Sequence, residues 1–462
     1  MKRKQIFSLV LALLMGCSIL MLSGCNGGET ETTSSGAESG TTSSGSSGTT
    51  FDLPTEYNFN GESILIKAFG GYGFAKEGAS EISDVEIEWK AAVEKAYNCK
   101  LEMETLIPND TQVSLVIRIL GGEKVADVIS CHRLDVEKMR ISGNLLADLN
   151  TLEGLDVSDE RWNEGLTEAM TYNGKTYGIF PDRPDIQSGL FFNKDLMESL
   201  NLESPYQYVM NKEWTYDKFI EYCEAATSGD RYGVAFDNDA LLTMFHNNGM
   251  QLITKQEDGT MKYTAYSQEN IDTISYLKEK LVTNKLSPEE LPITDYHTMF
   301  KEGKLLFMTG PDAYMVTESQ WGSCDFEVGF LPMPIGPNGT DYSYLLQQWP
   351  PVLCVTSTNE DTTKAVALLR AILACEDVTG PMRWDDIENR WFGTDTEGFE
   401  IYKMLQPKAY YDWAIYDVGL LDVMYQPVMV FKQAETPIAA TMEGDKDRLA
   451  AMVDDIYNKN MK

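Results

Sequence analysis

The stretch Ser63-Ile64-Leu65-Ile66-Lys67-Ala68-Phe69 places Ile64, Ile66 and Ala68 on alternate positions, the two-residue period of a strand. Ser83 with Glu86 reads as a capping box, and Val85, Trp89, Ala92, Val93 and Ala96 follow at helical spacing. Leu101 to Leu106 predicts a second strand, Gln112 to Leu120 a second helix stopped by Gly121-Gly122, and Ala126 to Ser130 a third strand. Strand, helix, strand, helix, strand is the order of a parallel sheet covered by helices, because parallel neighbours need a long crossover between them. The class is α/β.

Toward the C-terminus, Asn173-Gly174 between Met170-Thr171-Tyr172 and Lys175-Thr176-Tyr177 marks a hairpin. Further strands are predicted at 190–193, 232–236, 305–309, 326–331 and 351–355. Helices are predicted at 194–200, 216–227, 239–248, 268–283 and 363–374, the last with Val366, Leu369, Ile372 and Leu373 on one side. Trp89 and Trp214 fall in amphipathic patterns and are assigned to core, His297 to an exposed helix face. A chain of 462 residues is too long for one ordinary core. Two lobes are expected, with no 20–50-residue repeat between them.

Toward the N-terminus, Lys2, Arg3 and Lys4 precede the apolar run Ile6 to Leu22, which is slightly short for a membrane span of about 20 residues and reads as a signal peptide. The run closes on Leu22-Ser23-Gly24-Cys25, which resembles the bacterial lipobox. The resemblance implies that residues 1–24 are removed and that the Cys25 thiol takes up lipid. Leu14-Met15-Gly16-Cys17 fits less well because Met15 is bulky. Residues 25–50, rich in Gly, Ser and Thr, read as a tether with a reach of about 25–30 Å.

The 38 Lys+Arg against 71 Asp+Glu give a net charge of −33. So acidic a surface repels phosphate backbones and argues against nucleic acid, and against adhesion to anionic lipid through charge alone. It fits a soluble surface or a cationic ligand. Cys99, Cys131, Cys223, Cys324, Cys354 and Cys375 are scattered with no CxxC pair; Cys354 and Cys375 sit in apolar runs and read as buried small hydrophobes. An exported location permits disulfides without demanding them. His132, His246 and His297 lie far apart with no HExxH, and Asp237-Asn238-Asp239 lacks the Gly and Glu of a calcium loop. The glycines of Phe69-Gly70-Gly71-Tyr72-Gly73-Phe74 miss dinucleotide spacing. No catalytic, metal or cofactor set is expected, and the chain is read as a non-enzyme.

Five motifs come in one order. Asn173 to Pro181 with Leu190-Phe191-Phe192-Asn193-Lys194-Asp195-Leu196 is similar to the central signature of extracellular solute-binding proteins of ABC importers, most of all the carbohydrate-binding group related to maltodextrin-binding protein. Ala126-Asp127-Val128-Ile129, Glu213-Trp214-Thr215-Tyr216-Asp217-Lys218-Phe219, Met299 to Met308 and Gly329-Phe330-Leu331-Pro332-Met333-Pro334 resemble four further landmarks of that family. The resemblance implies a two-lobe periplasmic-binding-protein-like fold of type II, each lobe a mainly parallel sheet flanked by helices, hinged around a ligand cleft. Crossings are expected at Pro181–Gln187, Phe330–Pro334 and Thr379-Gly380-Pro381. These give one lobe of 51–181 with 333–380 and another of 185–330 with 381–462.

Ligand groups are expected at the carboxyl ends of the strands, where open α/β sheets bind. The candidates are Tyr72, His132, Arg133, Asp182, Arg183, Asp239, His246, Asp312, Tyr314, Gln348, Trp349 and Trp391. Aromatic rings stack on the apolar face of a sugar, and planar polar groups bond its hydroxyls. The expected function is a lipid-anchored, monomeric receptor on the outer face of the cytoplasmic membrane. It would capture an oligosaccharide or other sugar and hand it to two permease subunits and an ATPase. The alternatives are the same receptor for an amino-sugar, peptide or cationic solute, and a secreted glycan-active enzyme or adhesin.

Overall fold

The computed structural model describes residues 49–69, 78–106, 114–317, 320–346, 351–415, 418–433 and 435–459. Cys25, Tyr72, Gln348 and Trp349, with the expected signal peptide and nearly all of the tether, lie outside the described residues. Residues from Thr49 onward form one compact unit.

The first sheet follows the predicted order. β1 (Ser63–Phe69), β2 (Lys100–Leu106) and β3 (Val128–His132) are parallel with β1 in the centre. Helix Glu81–Ala96 starts one turn earlier than the capping box suggests: Ser80 is the cap and accepts the Ser83 amide at 3.1 Å. Ser80 satisfies an orphan amide and puts Glu81 and Asp84 in the favourable first turn. Glu86 is thereby released to pair with Arg383 at 2.9 Å. β4 (Thr171–Tyr172) and β5 (Lys175–Thr176) make the hairpin, with Asn173 at φ 51° and Gly174 at φ 75°, the left-handed pair a tight hairpin turn requires.

β6 (Gly189–Asn193), β7 (Tyr232–Ala235), the hairpin β8 (Ile253–Lys255) with β9 (Met261–Tyr263), β10 (Leu305–Gly310) and β11 (Val328–Leu331) follow, then β12 (Tyr344–Leu345), β13 (Pro351–Cys354) and β14 (Ala409–Tyr410). The sheet orders are β13-β3-β1-β2 and β11-β6-β10-β7. In each sheet one strand runs against the rest: β13 antiparallel to β3, and β6 antiparallel to β10 and β11. Both form where the chain has just arrived from the other sheet. Gly189 opens β6 beside Gly310, the last residue of β10, and Pro351 opens β13 beside His132, the last residue of β3. A chain that enters a sheet at its carboxyl edge must run away from that edge, so the carboxyl edges of both sheets border the crossings.

Side chains of β3 and β13 alternate between two buried layers. Val128 and Leu353 join Ile64, Trp89, Val93 and Leu369 on one face, and Ile129, Cys131, Val352 and Cys354 join Leu115 and Ile119 on the other. The second sheet lies in one continuous core that includes Trp214, as expected.

Three expectations change. Met333, Ile335, Tyr342, Tyr344, Leu345 and Leu346 pack in the second core rather than the first. Trp214 Nε1 donates to Pro332 O at 3.2 Å and the Ile335 amide to Trp214 O at 3.0 Å, which hold the Pro-x-Pro segment there. The chain therefore returns to the first sheet between Leu346 and Pro351, not at Phe330–Pro334. The helix expected to end at Ala374 runs from Thr363 to Asp386 with Pro381 inside it, starting in the first core at Ala365 and Val366 and reaching the second at Trp384. The third crossing is thus helical instead of a turn. His297 is only 7% exposed, its ring edge-on to Tyr314 at 5.0 Å, so it belongs to an aromatic cluster and not to a solvated face.

Candidate functional site

Arg133 follows the half-buried last residue of β3, His132, and is itself fully buried. Its guanidinium lies 5.5 Å from the centre of the Tyr411 ring, and its charge also acts on Asp185. Beside it, burial and then the Arg133 charge hold the His132 imidazole down at about 4, so it is neutral at pH 7.

Asp312, just past β10, is 2% exposed and ties down the first crossing. It accepts the Ile186 amide at 2.7 Å and the Tyr402 hydroxyl at 2.6 Å, and its own amide donates to Ile186 O at 2.9 Å. Burial pushes it up to about 6. Asp185 is pushed well up by burial and then by the Asp312 charge, and accepts the Gln187 side-chain amide. Asp182 accepts Asn163 Nδ2 at 2.8 Å, and desolvation raises it too.

The other end of the site is the helix Asn238–His246 after β7. Asp237 caps it, accepting the Ala240 amide at 2.7 Å, while the Asp237 amide donates to Thr309 Oγ1 at 2.8 Å. Asp239 accepts the Tyr425 hydroxyl at 3.2 Å and is pushed up to about 7 by burial and then by Asp237. His246 lies flat on Tyr410, centroids 3.5 Å apart and planes at 2°, with Nδ1 3.0 Å from Met250 O; burial lowers it to about 4.

His132, Arg133, Asp182, Asp239, His246 and Asp312 are thus joined through a few shared neighbours. Arg183 is directed elsewhere: it ion-pairs with Glu376 of the long helix. Trp391 packs against the second core, 6.5 Å from Tyr402, and Tyr314 stands edge-on to Trp321 at 5.2 Å. The linking residues missing from the expectation are Asp185, Tyr402, Tyr425 and the run Ala409-Tyr410-Tyr411-Asp412-Trp413. That run bridges both cores: Tyr411 and Trp413 pack on each, and Trp413 stands edge-on to Tyr172 at 6.3 Å. Its mixture of rings and an acid was the available signal. The arrangement offers aromatic faces and a surplus of hydrogen-bond acceptors. Among the described residues no group of three or more His, Cys, Asp or Glu is placed to hold a metal ion.

The model of the family described as bacterial extracellular solute-binding protein matches residues 79–373. The polygalacturonan/rhamnogalacturonan-binding protein YtcQ of Bacillus subtilis is 24% identical over 283 residues, 52% of this chain and 54% of that protein, so the match spans about half the relative's length. Among solved structures, a cyclic alpha-maltosyl-1,6-maltose binding protein of Arthrobacter globiformis superposes with a TM-score of 0.63 at 12% identity, covering 85% of this chain and 99% of that one. An ABC substrate-binding protein of Listeria monocytogenes in complex with cycloalternan gives 0.55 at 17% identity, covering 87% and 99%. These likenesses show the fold to be the two-lobe, type II periplasmic-binding-protein-like α/β architecture.

Proposed function

The chain belongs to the bacterial extracellular solute-binding protein family, and from that premise we propose that it captures a saccharide between two lobes and delivers it to an ABC permease. The observation that carries this reading is the meeting of Arg133, Asp185, Asp312 and Tyr411, from four separate segments, where the chain passes between the sheets. Rings and planar polar groups so placed suit a sugar's faces and hydroxyls. The ligands after which these relatives are described, polygalacturonan, cyclic maltosyl-maltose and cycloalternan, are all carbohydrates. Tyr72, Gln348 and Trp349 remain proposed ligand contacts on sequence grounds.

Lobe one is proposed as 51–181 with about 351–380 and lobe two as 185–346 with 381–462, moving about the three crossings. Cys25 is proposed as the lipid anchor to the outer face of the membrane, and permease subunits and an ATPase as the partners. The test of capture is a thermal-shift and calorimetric screen against oligosaccharides. A ligand at a hundred times its dissociation constant stabilises by about 2.7 kcal/mol; a flat response across neutral, amino and acidic sugars would refute the reading. For the anchor, Cys25→Ser is expected to release the protein to the medium, and its retention in membranes would count against lipidation.

A further inference from the structure

We propose that Arg383 is a two-position latch across the third crossing, held by Glu86 in the present arrangement of the lobes and by Glu376 in a more sharply kinked one; the inference takes from the receptor reading only that the two lobes move. Arg383 follows Pro381 on the long helix and adjoins Trp384, which packs on the second core. Its Nη2 pairs at 2.9 Å with Glu86 Oε1, on the first-lobe helix Glu81–Ala96, and lies 3.6 Å from Glu376 Oε1, on the other side of Pro381. One guanidinium nitrogen is thus shared by two carboxylates, one on a neighbouring helix of the first lobe and one on its own helix.

The network is unfinished at one place. Glu376 is 8% exposed and loads a single oxygen: Oε1 accepts Arg183 Nε at 2.9 Å and also Arg183 Nη2, besides the longer reach of Arg383. Its Oε2 is buried and accepts no hydrogen bond among the described residues, and the buried Arg383 Nε donates none. A buried acceptor and a buried donor left empty on adjoining groups oppose this arrangement. A guanidinium and a carboxylate are shaped to meet through two parallel bonds, so completing Nε to Oε2 draws Arg383 off Glu86 and onto Glu376. The neighbouring acids do not compete, since Asp377 meets Arg161 at 2.9 Å and Asp386 meets Arg390 at 3.0 Å.

The backbone favours the same exchange. At about 100° per residue, Glu376 and Arg383 lie within about 20° of each other around the helix and Pro381 about 140–160° away, on the opposite side. A proline has no amide for the carbonyl four residues back, here that of Asp377, and its ring crowds that carbonyl, so it opens its own side of a helix. The kink therefore closes the side on which Glu376 and Arg383 stand and shortens the span their fork must cover. Swinging the second lobe in that sense brings Arg383 to Glu376, and swinging it back returns it to Glu86. A ligand gripped by both lobes meets one of the two arrangements, so the share of chain latched in it scales the apparent affinity.

The test is the distance between spin labels on the two lobes of the full chain, at the exposed positions Glu153 and Lys255, attached through a ketone-bearing residue so that the native cysteines stay unlabelled. Glu86→Gln gives up the ion pair and leaves Arg383 to Glu376, so the kinked population should rise relative to the other by about two- to fivefold, the weight of a partly exposed ion pair. Arg383→Lys keeps a cation for Glu86 but has one nitrogen and no fork, so the same ratio should fall. Thermal midpoints check folding, and Glu86→Ala repeats the first arm should Glu86→Gln unfold. Shifts of opposite sign support the latch. A distance distribution that both variants leave as in the wild type, or move in the same sense, overturns it. No saccharide enters the measurement, so the latch and the saccharide reading fail separately.

Discussion

The two lobes share a topological plan, a four-stranded sheet with one contrary strand, and fill it with different matter. The strands of the first sheet contribute aliphatic and small side chains, Ile64, Ile66, Val128 and Leu353 on one face and Ile129, Val352 and Cys354 on the other, and its buried rings Trp89, Tyr97 and Trp162 come from the covering segments. The second is packed with rings: Phe191 on Trp321 at 4.4 Å, Phe219 on Phe307 at 5.2 Å, Phe330 on Tyr402 at 5.4 Å and Trp214 on Phe307 at 5.9 Å. Each core is assembled from distant chain: Ile186 to Leu346 joined by Ile387 to Tyr457 in the second, and Ile64 to Ile179 joined by Leu353 to Cys375 in the first. Both cores therefore join early and late chain, and what sets the second apart is its content of rings, of which Phe330 on Tyr402 ties the late segment to the sheet.

The comparison is most exposed to Trp214→Ala, which removes a fully buried ring and its hydrogen bond to Pro332 O. It should cost about 3–5 kcal/mol in denaturant unfolding, and a loss under about 1 kcal/mol would break the claim that rings carry the second lobe. Next comes Asp412, 5% exposed and pushed by burial from 3.8 up to about 6 while accepting the Leu252 and Ala414 amides. Its folded pKa lies above its unfolded one, so ionisation opposes folding: no penalty below about pH 4, a growing one up to about pH 6, and a full one above. Stability of the wild type relative to Asp412→Asn should thus fall by about 3 kcal/mol across that window; a difference flat with pH would remove the assignment.

Lys278→Met follows. The Lys278 ammonium donates to Val430 O at 2.9 Å, Gln433 O at 2.6 Å and Thr436 O at 2.7 Å, closing the end of helix Leu421–Lys432. Leaving those carbonyls without a donor should cost about 2 kcal/mol and speed amide exchange in residues 421–433 first. Exchange accelerated evenly over both lobes would contradict a local role for Lys278 at this helix end. The smallest effect sharpens the other side: Ile66→Val in the first lobe should cost only about 0.5–1.5 kcal/mol.

What the sequence disclosed follows from range. β1 matched its predicted limits because its signal is a local alternation, and the Asn173-Gly174 hairpin because two left-handed residues can be recognised by type. The return after Leu346 was misplaced because Pro332 and Pro334 look like a crossing until Trp214 and Asn247 are seen to hold their carbonyl neighbours. The helix through Pro381 was cut short because a proline usually stops a helix, whereas here cores on both sides support it. At the candidate site, position at strand ends pointed to Arg133, Asp239 and Asp312, which the structure sets beside Tyr411, Tyr425 and Tyr402. It could not find Tyr411 or Tyr425, which arrive from segments with no strand-end signal, nor foresee that Glu376 would claim Arg183.

That continuous helix has a mechanical meaning. Beyond Asp386 it passes without a break into the turn Ile387–Phe392, so the two lobes share a rod some 45 Å long at about 1.5 Å per residue. A rod resists stretching and shear but tolerates bending where its bonding lapses. At residues 379–381 the Thr379 hydroxyl competes for the Cys375 carbonyl at 3.1 Å, a Cβ on Gly380 would meet nothing within 4 Å, and Pro381 has no amide to give. A rod so interrupted bends at 379–381 sooner than it stretches, which makes this third crossing the place where a tilt of one lobe on the other would be taken up.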